Sequence, residues 1–259
     1  MSCEPLILLE GVNKRYDGAK ALADASFSVA EGEVHALIGE NGAGKSTLSK
    51  IIAGAVIPDS ASVRWRGEPV RIESPIAAQH LGIGIVFQEL DLFPNLSIAE
   101  NIVIGNVRME RRQWVNRKEL GAFCQTYLEQ AGLSESPWTR VRDLPIAHMQ
   151  LVAIARALSF EARLILMDEP TSSLPDDAVE RLFALIRRLR AGGVSIVYVS
   201  HKMKEIFEIA DRITVLRDGA TIGTRTASET NIDEIIAMMV GRELAAEYGA
   251  PADAYRETI

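Results

Sequence analysis

Residues Gly39-Glu40-Asn41-Gly42-Ala43-Gly44-Lys45-Ser46-Thr47 carry the chemistry most easily read from this chain. They fit G-x-x-x-x-G-K-[ST], the pattern of a phosphate-binding loop. The glycines let the backbone wrap closely, so that successive N–H groups can point at phosphate oxygens. Lys45 would reach the β- and γ-phosphates, and Ser46 would hold Mg²⁺. By itself the loop specifies a nucleoside triphosphate and nothing narrower. A second constellation lies downstream, where the apolar run Leu164-Ile165-Leu166-Met167 ends in Asp168-Glu169. An aspartate at such a strand end supports Mg²⁺, which gives Asp168 its role. Glu169 would lie beside the γ-phosphate, where a carboxylate can orient or deprotonate an attacking water.

These groups need elements to hold them. Val34–Ile38 reads as a buried strand leading into the loop, and Leu48–Ala53 as the helix leaving it. Such a helix start adds favourable dipole charge at the phosphates. Ile83–Phe87, Arg163–Met167 and Val194–Val199 are nearly continuous apolar runs, as expected for parallel strands buried on both faces. Val179, Leu182, Phe183, Ile186 and Leu189 recur at helical spacing before Ala191-Gly192-Gly193. Leu6–Leu9 and Ser26–Val29 read as early strands. Ser62–Trp65 and Val70–Ile72 read as short strands around a turn at 66–69. Ile213–Leu216 and Thr221–Ile222 flank the hairpin signal Asp218-Gly219. Alternating strands and helices define an α/β fold. The middle differs: Ser97-Ile98-Ala99-Glu100 is a capping box, and the chain is helical in pattern from there to about Arg142. Arg108, Arg111, Arg112, Arg117 and Lys118 on this arm read as a solvated helix face.

The chain has 259 residues, 47% hydrophobic content and a net charge of −7. An acidic balance disfavours nucleic acid as the main partner. The two cysteines, Cys3 and Cys124, form no C-x-x-C, which fits a reducing compartment. No signal peptide is visible at the start, and the apolar runs are too short to cross a bilayer. A membrane role would therefore come through a partner. The histidines His35, His80, His148 and His201 offer no metal-ligand spacing.

Over nearly its whole length the chain resembles the ATP-binding cassette (ABC) ATPases. The resemblance is carried by Tyr16, Gly39–Thr47, Gln88-Glu89, Val152–Leu158, Leu164–Thr171 and Val199-Ser200-His201. It implies a P-loop NTPase fold of the ABC type: a mixed sheet with helices, an antiparallel β subdomain and an inserted helical subdomain. The expected boundaries are 1–88 and 143–244 for the ATPase core, 89–142 for the insertion and 245–259 for a linker-like tail. The family implies that Tyr16 stacks on adenine and that Gln88 links Mg²⁺ and water to the transporter. It also implies Glu169 as general base, with His201 contacting the γ-phosphate and positioning the water. The stretches Ser200–Asp211, Val215–Gly219 and Met238–Leu244 are most similar to monosaccharide importers of the ribose/galactose/xylose type. There one polypeptide often carries two cassettes, and this chain looks like the first.

One motif departs from the family. The signature, typically L-S-G-G-Q, reads Leu144-Pro145-Ile146-Ala147-His148 here, and the next loop reads Ser172-Ser173-Leu174-Pro175 in place of S-A-L-D. In the family the signature of one cassette closes over ATP held by the other. Pro145 has neither hydroxyl nor N–H to offer a phosphate, and Ala147 adds a methyl where glycine leaves space. The expected function is an ATP- and Mg²⁺-dependent import ATPase, peripheral to the cytoplasmic face of the membrane. Its expected partners are permease subunits, a second cassette with an intact signature and, indirectly, an external sugar-binding protein. One alternative, a soluble ABC ATPase acting on nucleic acid or the ribosome, would be favoured by long coiled coils, zinc C-x-x-C pairs and strong basic tracts, and the sequence has none. Another, a P-loop kinase, would need an acceptor site and a lid, whereas Gln88, Leu164–Glu169 and His201 match the ATPase.

Overall fold

The computed structural model describes residues 4–87, 90–107 and 116–241. Gln88, Arg108, Arg111, Arg112 and the linker-like tail therefore lie outside the described residues. The elements that matter for the site are strands β1 (Ile7–Tyr16), β2 (Ala19–Val29), β3 (Val34–Ile38), β4 (Ser60–Trp65), β5 (Glu68–Pro69), β6 (Ile83–Val86), β7 (Leu164–Asp168), β8 (Ser195–Val199), β9 (Arg212–Arg217) and β10 (Ala220–Thr226). The helices are α1 (Lys45–Ile52), α2 (Pro75–Leu81), α3 (Ile98–Val103), α4 (Arg117–Ala131), α5 (Ile146–Ser159), α6 (Asp176–Ala191), α7 (Met203–Ile209) and α8 (Ile232–Val240).

The main sheet runs β10-β9-β3-β8-β7-β6, parallel except for the antiparallel edge strand β10. Strand β7 shows why its residues are almost all apolar. Leu164 and Leu166 pack on one side with Leu48 and Ile52 of α1, and Ile165 and Met167 pack on the other with Phe183 and Ile186 of α6. Alternate side chains thus enter two different cores, and neither face meets water. A second sheet, β2-β1-β4-β5, is wholly antiparallel and closes the α1 side. This is the mixed sheet plus antiparallel subdomain expected from the sequence.

One element is corrected. The second strand of the early hairpin lies at Glu68–Pro69, not Val70–Ile72. Arg66 and Gly67 both take positive φ, 50° and 82°, so they form a two-residue turn. Pairing then resumes at once, Trp65 opposite Glu68, and the chain leaves the sheet two residues later.

The arm between the sheets' last early strand and β7 has its own core. Ile98 and Ile102 of α3 pack with Cys124 and Leu128 of α4 and with Val141, Leu144, Val152 and Ala155. The predicted capping box is present: Ser97 Oγ accepts from the Glu100 N–H at 3.3 Å, and Glu100 Oε2 accepts from the Ser97 N–H at 2.7 Å. Arg117 and Lys118 are exposed, as a solvated helix face requires, and the Arg117 guanidinium lies 4.4 Å from the Trp138 ring centroid. Burial pushes the Cys124 thiol up to about 12, which makes it an inert core residue.

His35 sits fully buried on β3 and illustrates how the sheet satisfies a polar side chain. Its Nδ1 lies 2.7 Å from Glu33 Oε1 and its Nε2 lies 2.7 Å from Thr214 Oγ1. Burial lowers its pKa despite the opposing hydrogen bond and charge of Glu33. The neutral ring then donates from Nδ1 to Glu33 and accepts at Nε2 from Thr214. The unfolded chain takes up this proton more readily, so the contribution is full above the ordinary histidine value and declines as pH falls through it. We expect the melting temperature to drop between about pH 7.5 and about pH 5.5, and His35→Gln to shrink that drop while costing about 1–3 kcal/mol at neutral pH. Equal pH slopes for parent and variant would contradict the neutral, buried ring.

Candidate nucleotide site

The carboxyl ends of three neighbouring strands, β3, β8 and β7, converge at one place. Open α/β sheets bind ligands outside such ends. From β3 the chain enters residues 39–47. Gly44 caps α1 at φ 103°, and no side chain caps that helix. The first amides of α1 therefore have neither an intrahelical partner nor a side-chain substitute, which leaves donors for an anion. The helix begins at Lys45, three residues before the expected Leu48, because Lys45-Ser46-Thr47 form its first turn.

Two glycines have no alternative here. A Cβ on Gly39 would stand 2.2 Å from the Leu216 carbonyl oxygen, and one on Gly44 would stand 2.6 Å from that of Ala21. Lys45 is 7% exposed, and its Nζ donates to Gly39 O at 2.8 Å and Glu40 O at 3.0 Å. Burial lowers the Lys45 pKa, while the charges of Glu169 and Asp168 oppose that shift.

Asp168 ends β7 with the Ser46 hydroxyl beside it. Burial and the neighbouring Glu169 charge raise its pKa, against the pull of the Ser46 hydroxyl and the charges of Lys45 and Lys50. Glu169 follows at φ 46°, in the left-handed region, and its N–H donates to Val199 O at 2.9 Å. Such a backbone costs on the order of 1–3 kcal/mol and persists only where its surroundings fix it. Beyond β8, His201 Nδ1 lies 3.1 Å from Glu169 Oε1. A cavity of about 390 Å³ is lined by Asn41, Gly42, Gly44, Lys45, Ser46, Thr47, Asp168 and Glu169, with Ala21 of β2.

The structure thus brings together the loop, Asp168, Glu169 and His201. Tyr16 is not part of this lining; it ends β1, 44% exposed, with Lys14 Nζ 5.5 Å from its ring centroid. Gln88 is outside the described residues. The signature stretch does open a helix, with Pro145 at the cap of α5 and Ile146 49% exposed. His148 Nδ1 lies against Glu135 Oε1. Pro175 likewise caps α6. Contacts that the sequence did not point to surround Glu169: Gln150 Nε2 donates to Pro170 O at 2.6 Å, and Thr171 Oγ1 lies 2.8 Å from a buried carboxylate oxygen of Glu205.

A parallel sheet with a phosphate-type loop, paired acids and a histidine at its carboxyl edge, plus an antiparallel sheet and a helical arm, defines an ATP-binding cassette. The ABC transporter family model matches residues 22–172, and the chain belongs to that family. The fold agrees with a nucleotide-free ATP-binding cassette from an ABC transporter, at TM-score 0.81 and 24% identity over 92% of this chain and 100% of that one. It agrees as well with an ATP-binding cassette in its ADP conformation, at TM-score 0.79 and 25% identity over 95% of this chain and 98% of that one. Among curated relatives, a putative ribose/galactose/methyl galactoside import ATP-binding protein of Burkholderia cenocepacia is 48% identical over 251 residues, 96% of this chain and 49% of the relative. A ribose import ATP-binding protein of Streptomyces coelicolor is 44% identical over 247 residues, 95% of this chain and 47% of the relative. The chain spans about half the length of the curated relatives it matches.

Proposed function

We propose that this cassette hydrolyses ATP to drive uptake of a monosaccharide through a membrane permease. The observation that carries the reading is the meeting of residues 39–47, Asp168, Glu169 and His201 at the carboxyl ends of three adjacent strands. The loop amides, Lys45 and the α1 N-terminus hold the phosphates. Ser46 and Asp168 present hard oxygen donors side by side, which suits Mg²⁺, with Gln88 as a further ligand; the ion would neutralise charge on the phosphates. Tyr16 supplies an aromatic face for the base. Glu169 takes a proton from the attacking water as the water oxygen bonds to the γ-phosphorus and the bond from that phosphorus to the β,γ-bridging oxygen breaks, so that ADP leaves with the electron pair and inorganic phosphate is the second product. His201 donates from Nδ1 to Glu169, fixing the carboxylate while the ring reaches the γ-phosphate. No helix among the described residues is long and apolar enough to cross a membrane. In this reading permease subunits carry the sugar, with the cassette docked on them at the cytoplasmic face. A groove of about 400 Å³ between α2, β6 and the helical arm, with Phe93 and Ile104 exposed at it, suits that contact. An external sugar-binding protein would deliver the substrate.

The cassette supplies a sound ATP-binding half and a poor signature half. Pro145 replaces a serine that would donate to the γ-phosphate, and losing one preorganised donor typically costs about 10²- to 10³-fold in rate. The complementary signature then comes from a second cassette of different sequence. In the test, ATP turnover of the isolated chain is compared with turnover in the presence of the permease and a second cassette. We expect slow turnover alone, strong stimulation in the complex, and at least about tenfold faster turnover of the isolated chain after Pro145→Ser with Ala147→Gly. Fast turnover by the isolated chain, indifferent to those substitutions, would remove the need for a partner signature.

A further inference from the structure

Glu205 lies on the first turn of α7, is 9% exposed, and has no part in the chemistry above. Its carboxylate nevertheless collects four side chains. Tyr198 donates its OH to Oε2 at 2.7 Å, and Thr171 donates its hydroxyl between Oε1 at 2.9 Å and Oε2 at 2.8 Å. Ser200 Oγ approaches Oε2 at 3.4 Å, and Lys202 Nζ lies 3.0 Å from Oε1. Lys202 Nζ also donates to the Thr171 carbonyl at 3.3 Å. Thr171 stands two residues after Glu169, and Ser200 and Lys202 flank His201. Burial pushes the carboxyl up, but the hydrogen bonds from Tyr198, Thr171 and Lys202 and the Lys202 charge outweigh it, so the group stays ionised. A buried, fully partnered carboxylate of this kind specifies geometry more than it adds stability.

We propose that Glu205 is a positioning residue for hydrolysis: it ties the loop after β7, which carries Glu169, to the loop after β8, which carries His201. The strained backbone of Glu169 needs such ties. The N–H of Glu169 is held by Val199 O, the Pro170 carbonyl by Gln150, and Thr171 by Glu205. Two of the three ties lead to the stretch around His201, through Val199 just before it and Glu205 just after it. Cutting the Glu205 tie lets the two loops drift apart, and the 3.1 Å contact between Glu169 and His201 loosens with them. The phosphate-binding loop, which shares none of these bonds, is left as it was.

The proposal rests on Glu169 acting as the base, and the variants separate the two. In the assembled complex with its permease, Glu205→Gln lowers maximal ATP turnover by about 10- to 100-fold, the usual penalty for misplacing reacting groups by about an ångström. ATP affinity, read by nucleotide titration, stays near the parent value. Thr171→Val loses turnover in the same way, and Thr171→Ser, which keeps the hydroxyl, recovers most of it. Adding Glu205→Gln to Glu169→Gln slows turnover no further, because nothing remains to be placed. Parent-like turnover in Glu205→Gln, with Glu169→Gln inactive, overturns the proposal and leaves the base intact. Parent-like turnover in Glu169→Gln overturns the base, and the positioning role falls with it. Loss of ATP affinity in step with turnover shows a merely structural residue and also overturns the proposal. Where Glu205→Gln does not fold, the Thr171 pair decides on the same readouts.

Discussion

Glu169→Gln lowers ATP turnover by about 10²- to 10⁴-fold and leaves ATP binding nearly unchanged. Glutamine keeps the size of the side chain and can still accept from His201 Nδ1, now 3.1 Å from the carboxylate, so the backbone at φ 46° is not asked to move. What it cannot do is take a proton from water. The contribution of a positioned base sits in the transition state alone, so kcat falls while ground-state affinity does not. The variant also removes a negative charge from beside Asp168, and that charge is one of the causes holding the Asp168 pKa up. Binding of the anionic nucleotide should therefore strengthen slightly. Steady-state phosphate release and titration with a fluorescent nucleotide read the two effects separately. Turnover within a few-fold of the parent would show that another group accepts the proton.

Lys45→Ala has a different signature: affinity and rate fall together. On the proposed reading the ammonium faces phosphate charge that is present before the reaction and grows during it, so the ground state loses one interaction and the transition state loses a stronger one. Removing one such donor costs about 10²- to 10³-fold in rate. The loop itself also weakens, because the carbonyls of Gly39 and Glu40 lose the Nζ that ties them at 2.8 and 3.0 Å. Lys45→Arg should not rescue. A guanidinium is broader than an ammonium, and at 7% exposure the site has little room for the planar fork. Isothermal titration with ATP and Mg²⁺ reads the affinity, and an undiminished heat of binding in Lys45→Ala would remove this lysine from the phosphate site.

Much of the site was legible in the sequence because its parts are local. A loop that must approach phosphate needs glycines at fixed spacing, and a parallel strand buried on both faces must be an unbroken apolar run, as Leu164–Met167 is. The capping box at Ser97 and the hairpin at Asp218-Gly219 were readable for the same reason. What could not be read depends on distant partners or on unusual backbone. Arg66 at φ 50° set the hairpin register that the apolar residues Val70 and Ile72 misdirected. The buried His35 needs Thr214, 179 positions away. Glu205 left one faint trace: it lies four residues before the buried Ile209, on the inward side of α7, where a solvated glutamate does not belong.

Helix α5 contributes Val152 and Ala155 to the core of the arm, and Ala153, Ile154, Ala157 and Leu158 to the core beneath the sheet. One rod therefore serves two rooms as their common wall. The arm is not an ornament that could be trimmed from the cassette. Its removal would strip one side of that wall and leave apolar surface facing water beside the segment that follows Pro145. For anyone who shortens, grafts or recombines such proteins, the usable seams lie in the chain outside this helix, and the arm and α5 travel as a single piece.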